Sequence, residues 1–563
     1  MRKRRSTYFA HTDIAPDEIF LDDRNIPDFD VQQFEGRMET PISKRSIFFL
    51  ALAFLVIGLT FIGRAGVLQL KEGEAYAAKS EQNRLEHQLL FPERGVIYDS
   101  RGIPLAWNTP ASEELGFSLR SYTSTPGFAH ILGFLHYPAR DKHGVYYRKD
   151  YEANVGIEAY YNEALKGKTG LRIIETDALG NVISANVIDP PLPGRNLRLA
   201  IDSELQAEFY RTIAAIAREQ DYLGGAGAIM DIESGEMRAL VSYPEYDPNI
   251  MTSGDDAEAI AKWNTDKRTP FLNRAVGGLF TPGSIIKPIF ATGALNEGIL
   301  TPDTPIQSVG YIAIPNPYVP DAETRFNDWK VHGWLDMRTA IAQSSNVYFY
   351  EVAGGYKGQK GLGIENVEKY ARMFGYGSTT GIDLYGESSG TIPNPTWKAK
   401  NFPTDPTWRI GDTYFTGIGQ YGVQVTVLQA LREAAIIASK GLVVTPHIVE
   451  GVATSSYQLP IPESYFTVVQ EGMRKGAVEG TAKLLNIPGI TIAAKTGTAE
   501  LGVSKARVNS WVIGFFPYDH PKYAFAIVMD RGVKGNTTNA SFVAQKLFWW
   551  MLMYTPEYFK IGE

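Results

Sequence analysis

The longest unbroken feature of the hydrophobic pattern is a run of sixteen uncharged positions, Ile47 to Ile62, which continues past Arg64 into Ala65, Gly66, Val67 and Leu68. As a helix such a run spans roughly 25 to 30 Å, and Arg64 can snorkel to the far interface, so a transmembrane helix is predicted over 46–68. The alternatives are a buried core helix or a cleaved signal peptide. Against the second, a polar segment of about forty residues precedes the run and no small-x-small cleavage site clearly follows it. Arg2, Lys3, Arg4, Arg5, Lys44 and Arg45 all lie on its N-terminal side. By the positive-inside rule this end is cytoplasmic and everything after about Lys71 lies outside.

Residues 1–45 are polar, mixed in charge and without sustained periodicity, the pattern of a flexible cytoplasmic tail. Glu72 to Gln88 is rich in helix formers but too polar for a second span, which predicts a juxtamembrane helix. Short strands and turns follow. Arg94 to Ala106 reads as a hairpin turning at Asp99 to Gly102, and Pro190 to Gly194 reads as a stiff domain boundary. From Leu197 the elements lengthen, beginning with a helix capped by Asp202 and running to about Gln220. Gly227 to Ile232 and Glu236 to Val241 form a predicted hairpin around Ser234 and Gly235. Three more strands are predicted at Ile490 to Lys495, Trp511 to Phe516 and Tyr523 to Met529. Strands at both ends with helices between them predict an α+β domain whose sheet is completed by the two chain ends. The expected organisation is a tail (1–45), a membrane helix (46–68), a small mostly-β domain (69–194) and a larger domain (195–563).

Composition narrows the chemistry. At 563 residues the chain is too long for one core, and size suggests about three or four domain-sized units. A hydrophobic share of 44% with 21% charge excludes wholesale disorder. The net charge of -7 gives no electrostatic reason for a nucleic-acid partner. With no cysteine, thiol nucleophiles, disulfides and cysteine-ligated metals are excluded.

Three strings then carry the chemistry: Ser284-Ile285-Ile286-Lys287, Ser344-Ser345-Asn346 and Lys495-Thr496-Gly497-Thr498. In this order they match the S-x-x-K, S-x-N and K-T-G set of enzymes that acylate an active-site serine. Thr281-Pro282-Gly283 is a plausible helix entry, which places Lys287 one turn beyond Ser284 on the same face. Ser284 needs a base, and Lys287 can serve only with a depressed pKa. A second cation, Lys495, would depress it by like-charge repulsion, with desolvation adding to the effect. Ser344 can relay a proton to the leaving amine, and Asn346 offers a donor and an acceptor to a peptide backbone. The strand carrying Lys495 to Thr498 can pair with an extended peptide, Gly497 letting it approach closely. The backbone N–H groups of Ser284 and Thr498 would form an oxyanion hole.

Two other strings compete. Gly386-Glu387-Ser388-Ser389-Gly390 matches a nucleophile elbow, but Pro393 and Pro395 forbid the helix that must follow. Gly417-Ile418-Gly419-Gln420-Tyr421-Gly422 matches a dinucleotide loop, but no βαβ unit surrounds it, and a loop flanking the active site is the better reading. Asp328 and His332 are spaced for one helical face, yet they lack a third and fourth ligand, so a structural role is favoured over a metal site. No cofactor or metal is expected.

Beyond the motifs the chain carries Tyr246-Asp247-Pro248-Asn249, Leu272-Asn273-Arg274-Ala275, Phe326-Asn327-Asp328-Trp329, Val347-Tyr348-Phe349-Tyr350, Phe374-Gly375-Tyr376-Gly377 and Gly381-Ile382-Asp383-Leu384. With Arg94-Gly95, His130-Ile131-Leu132-Gly133 and Gly156-Ile157-Glu158 upstream, it resembles the class B penicillin-binding proteins, in particular their elongation-specific type. The resemblance implies a mostly-β, non-catalytic pedestal and a serine penicillin-recognising transpeptidase domain with a central antiparallel sheet flanked by helices. It implies peptidoglycan crosslinking through an acyl-serine at Ser284, trapping by β-lactams, and anchorage in the bacterial cytoplasmic membrane. The implied partners are nascent pentapeptide strands, a SEDS-type membrane glycan polymerase and regulators of the elongation complex. Two departures stand out. Only about two dozen residues separate Ala106 from His130, where the family carries a longer head. Tyr421 also stands where a glycine usually follows Gly-Gln. A cell-division transpeptidase, a β-lactamase and an inactive scaffold for the polymerase remain as alternatives.

Overall fold

The computed structural model describes residues 43–76, 85–110, 115–143, 145–176, 181–316, 319 and 321–560. The predicted cytoplasmic tail lies almost entirely outside the described residues. Residues 1–86 with 174–184 form one unit, and residues 87–173 with 185–563 form another.

In the first unit, helix α1 (Lys44–Gly66) starts at Ser43, whose Oγ accepts from Ser46 N at 3.1 Å. It runs into one wider turn, Val67–Lys71. Ile47, Phe48, Phe54, Phe61 and Ile62 are all exposed, so the helix is apolar on every side, and it is long and apolar enough to cross a membrane. Arg64 sits in its last turn. The juxtamembrane helix predicted over Glu72 to Gln88 requires correction. Residues 73–76 are helical, but Leu85–Leu90 is a strand, and the positions between lie outside the described residues. No alternation marks the segment, since Leu85 and Leu89 share one strand face with His87 between them and Leu90 faces the other way, so the strand overrides the segment's helix propensity without a period-2 signal.

The second unit opens with a small four-stranded sheet made of Ile97–Tyr98, Pro104–Thr109, Leu119–Tyr122 and the returning Leu197–Arg198. The predicted hairpin is present. Asp99 Oδ1 closes its turn by accepting from Arg101 N at 2.9 Å and Ile103 N at 2.7 Å. Beside this sheet Glu158 is completely buried between two guanidinium groups, accepting from Arg94 Nε at 2.6 Å and Arg120 Nε at 2.7 Å.

Helix α2 (Ser203–Glu219) follows, capped as expected by Asp202, whose Oδ1 accepts from Glu204 N and Leu205 N. Strands β1 (Gly224–Asp231), β2 (Met237–Tyr243), β3 (Ala493–Leu501), β4 (Arg507–Phe516) and β5 (Tyr523–Val533) make one antiparallel sheet in the order β2-β1-β5-β4-β3. Its first hairpin and its last three strands come from opposite ends of the domain, as the pattern predicted. Both faces are covered, which is why β1, β4 and β5 read as nearly continuous apolar runs. Phe209 and Ile213 of α2 pack with Val512, Phe525 and Ile527 on one face, and Leu428 and Ile436 share the core of the other with Trp511 and Val528. β3, which carries the K-T-G string, is the edge strand facing the helices that hold the other two strings.

Burial by itself would raise the Glu158 pKa, but Arg120 and Arg94 together hold it below the ordinary glutamate value. This stabilisation is therefore present at neutral pH and lost as acid drops the pH through the depressed value. Glu158→Gln strands two buried cations and is expected to cost about 3–5 kcal/mol. Denaturant unfolding of wild type and variant at neutral pH checks this, and equal midpoints would refute it.

Candidate active site

Ser284 lies in a single 3-10 turn, Gly283–Ile286, which runs directly into helix α3 (Lys287–Asn296) with Pro288 in its first turn. The turn is clasped from several sides. Gly283 N donates to Gly419 O at 3.0 Å, and Trp511 Nε1 of β4 donates to Thr281 O at 3.0 Å. β3 presses on it so closely that a Cβ at Gly497 would stand 2.7 Å from Pro282 O and 2.9 Å from Ile285 Cγ2. Gly497 was expected to make room for a substrate. The room it makes is for the serine turn itself.

Helix α4 (Met337–Gln343) ends at Ser344, whose φ of 57° puts a non-glycine residue in the left-handed region. Ser345 then caps helix α5 (Asn346–Gly354). The chain can reverse so sharply between two helices because one carboxylate holds the junction. Asp328 accepts from Ser345 Oγ at 2.7 Å, Asn346 N at 2.9 Å and Val347 N at 3.0 Å. Its bonds to these donors, with Lys287 nearby, hold its pKa below the ordinary aspartate value although burial opposes them. Asp328 and His332 do not share a helical face, since both lie in the bend between strands Glu323–Asn327 and Gly333–Leu335. His332 Nε2 is 3.5 Å from Asp328 Oδ1. Among the described residues no group of three metal-ligating side chains occurs.

The two lysines meet at Ser344. Lys287 Nζ donates to Ser344 O at 2.8 Å, to Asn346 Oδ1 at 2.8 Å and, at 3.4 Å, to Ser344 Oγ. Lys495 Nζ donates to Ser344 Oγ and to Thr496 O, both at 2.8 Å. Lys287 is 0% exposed and Lys495 1%, so neither charge has solvent. Burial pushes Lys287 down to about 7 against the opposing pull of Asp328. Burial also drives Lys495 well below the ordinary lysine range, and Lys287 pushes it lower still. Like-charge repulsion was expected to dominate at Lys287; desolvation does. Asn346 was expected to offer both a donor and an acceptor to a substrate; its Oδ1 already accepts from Lys287, which leaves its amide N–H groups and one oxygen lone pair.

Ser284, Ser344, Asn346, Thr496, Gly497 and Thr498 line one cavity of about 1020 Å³, with Lys287 and Lys495 buried behind it. Phe415, Ile418, Gln420 and Tyr421 line it too. Tyr421 adopts φ 57°, the conformation a glycine would take easily, and its ring is fixed by stacking on Phe402 and by edge contacts with Trp397 and Trp408. Gly417 ends a helix (Ile410–Gly417) rather than a strand, so the G-x-G-x-x-G string flanks the site and is no dinucleotide loop. Ser388 sits in irregular chain, with its Oγ donating to Gly277 O. One further group escaped the sequence reading. Glu433, fully buried on helix α6 (Val427–Ala438), accepts from Tyr376 Oη, and burial holds its pKa well above the carboxylate range. Its side chain opposes the depression of Lys495.

Residues 225–548 match the penicillin-binding protein transpeptidase domain, and residues 117–199 match the penicillin-binding protein dimerisation domain. The chain belongs to the penicillin-binding protein transpeptidase family. It is 31% identical to the peptidoglycan D,D-transpeptidase MrdA of Salmonella typhimurium (strain SL1344), over 84% of this chain and 90% of that protein. Among solved structures it is similar to PBP2 of Pseudomonas aeruginosa in complex with WCK 5153, with TM-score 0.69 and 28% identity over 83% of this chain and 97% of that one. PBP2 of Helicobacter pylori in complex with MreC gives TM-score 0.69 and 26% identity over 84% of this chain and 100% of that one. The resemblance to class B penicillin-binding proteins and the α+β class with its central antiparallel sheet therefore stand.

In this penicillin-binding transpeptidase, Asp328→Asn replaces a carboxylate that accepts three strong bonds with an amide that cannot accept them all. The S-x-N junction should loosen, and penicillin acylation should slow by about tenfold or more. Stopped-flow acylation of both proteins checks this, with an unchanged rate counting against the role of Asp328.

Proposed function

We propose that this chain is a peptidoglycan D,D-transpeptidase of the elongation type, using Ser284 as nucleophile. The observation that carries the reading is the pair of buried lysines converging on Ser344 Oγ, with Lys287 pushed down to about 7. A lysine in that state is half neutral near physiological pH and can serve as the base for Ser284, three positions earlier on the same turn.

Ser284 Oγ attacks the carbonyl carbon of the penultimate D-alanine of a donor stem peptide, and its proton passes to Lys287 Nζ. The tetrahedral oxyanion is held by the backbone N–H groups of Ser284 and Thr498. When the C–N bond breaks, a proton is relayed through Ser344 Oγ to the departing D-alanine amine, with Lys495 keeping that hydroxyl oriented. Thr496, Gly497 and Thr498 present the edge of β3 to the extended peptide, and the amide N–H groups of Asn346 hold its backbone. An amine of a neighbouring stem peptide then attacks the acyl-serine, forming the crosslink and returning the serine proton. A β-lactam enters the same first step but leaves a slowly resolved adduct.

The domains implied are the tail (1–45), the membrane helix (46–68), the pedestal (69–194) and the transpeptidase domain (195–563), with a cytoplasmic N-terminus and the catalytic domain outside. A SEDS-type glycan polymerase contacting the membrane helix and pedestal is the partner this organisation suits. An MreC-like regulator is a further partner by analogy with the Helicobacter pylori complex.

Full-length protein in detergent, treated with a fluorescent penicillin and read by intact mass, is expected to gain one stable adduct, and Ser284→Ala none. Rapid turnover of the adduct would indicate a β-lactamase, and failure of wild type to react with penicillin or a D-Ala-D-Ala peptide would indicate a scaffold. Because a depressed lysine pKa leaves the base form above that pKa, the acylation rate should rise between pH 6 and 8 with a midpoint near the Lys287 value of about 7. Lys495→Ala should weaken acylation and move that midpoint, and an unmoved profile would contradict the coupling.

A further inference from the structure

The active-site cavity is lined by four formally charged side chains, Arg325, Asp328, Glu500 and Lys505. Asp328 is taken up by the S-x-N junction. Glu500 is neutralised by Lys505 at 3.0 Å and Lys534 at 2.5 Å. Arg325 alone of the four has no ion pair or hydrogen bond among the described residues. The side chain is exposed, but it is not without a neighbour. Its guanidinium stacks 4.6 Å from the ring centroid of Tyr311, and the two residues sit on paired strands, Tyr311–Pro315 and Glu323–Asn327. The second strand leads straight into Asp328, so Arg325 is tied within three residues to the carboxylate that fixes Asn346.

A pre-ordered, unpaired guanidinium in a substrate cleft is a carboxylate receptor, because its rigid fork of donors matches two carboxylate oxygens and stacking has already reduced the entropy of ordering it. The K-T-G strand lies on a separate element, and a cavity of about 1020 Å³ has room for more than a D-alanyl dipeptide. We propose that Arg325 anchors a carboxylate-binding subsite, which holds an acidic group of the stem peptide away from the reacting D-alanyl end. The subsite rests on the transpeptidase reading and specifies its substrate: a peptide whose free side carboxylate is read, and whose amidated counterpart is discriminated against. That carboxylate can belong to the donor, upstream of the scissile bond, or to the acceptor, beside the attacking amine.

The test uses full-length wild type, Arg325→Gln and Arg325→Lys in detergent, each titrated with penicillin so that rates refer to reactive Ser284. Donor pentapeptides with a free or an amidated side carboxylate are compared in single-turnover acylation. Acceptors with and without the carboxylate are compared in the partition between transfer and hydrolysis. Wild type should favour the acid over the amide by about tenfold in one of the two arms, which identifies the peptide that is read. Arg325→Gln should bring that ratio to about one, with Arg325→Lys between. A wild-type ratio of one in both arms, or a ratio that survives in Arg325→Gln, overturns the subsite while leaving the transpeptidase intact. Wild type that fails to react with penicillin and with every donor overturns both.

Discussion

Two lysine ammonium groups and one serine hydroxyl share a space from which water is excluded. Desolvation makes each charge costly, and proximity makes two charges costlier still, so the pair cannot hold both protons comfortably at neutral pH. The direction of both shifts follows from this, with Lys287 brought to about 7 and Lys495 driven well below the ordinary lysine range. Most of the surrounding architecture keeps this arrangement closed. Asp328 offsets part of the cost at Lys287, and Ser344 occupies an unfavourable backbone region so that its Oγ can face both amines.

The three motif-bearing elements also lock one another. The serine turn is bound by the loop at Gly419, anchored by Trp511 and pressed by β3 at Gly497, while the S-x-N junction is stapled by Asp328. None of these contacts is local in sequence. The geometry around Ser284 is therefore a property of the whole domain, with close-packed backbone leaving little slack for side chains to move. This suits an enzyme that must hold several polar groups in fixed register around one carbonyl.

The motif residues were legible because their chemistry depends on spacing that survives in one dimension: a serine and lysine one turn apart, a polar triplet, a cation on a strand. The sheet was legible because both its faces are buried and its strands read as apolar runs; only their ends were misjudged. Asp328 was visible as a residue but not as a clamp, because its three partners lie seventeen to nineteen positions downstream. Glu433 sits in a helix whose neighbours Ala434, Ala435, Ile436 and Ile437 predict a buried face, and nothing in the sequence says that an acid there meets Tyr376. Leu85 to Leu90 was read by composition as helix, and because its leucines carry no strand period the strand was not legible there. For Gly497 the close approach was foreseen and the approaching group mistaken.

The central sheet takes β1 and β2 from the start of the domain and β3, β4 and β5 from its end, with residues 244–492 between them. β1 pairs with β5, so the five-stranded sheet cannot close before the last strands have been made. A ribosome-bound chain that already displays Ser284 and Lys287 thus lacks both the second lysine and the strand that presses on the serine turn. Such long-range pairing is slow to form and must wait for synthesis to finish. The nucleophile is consequently assembled last, and every premature stop upstream of β5 yields a chain that can neither complete the sheet nor react.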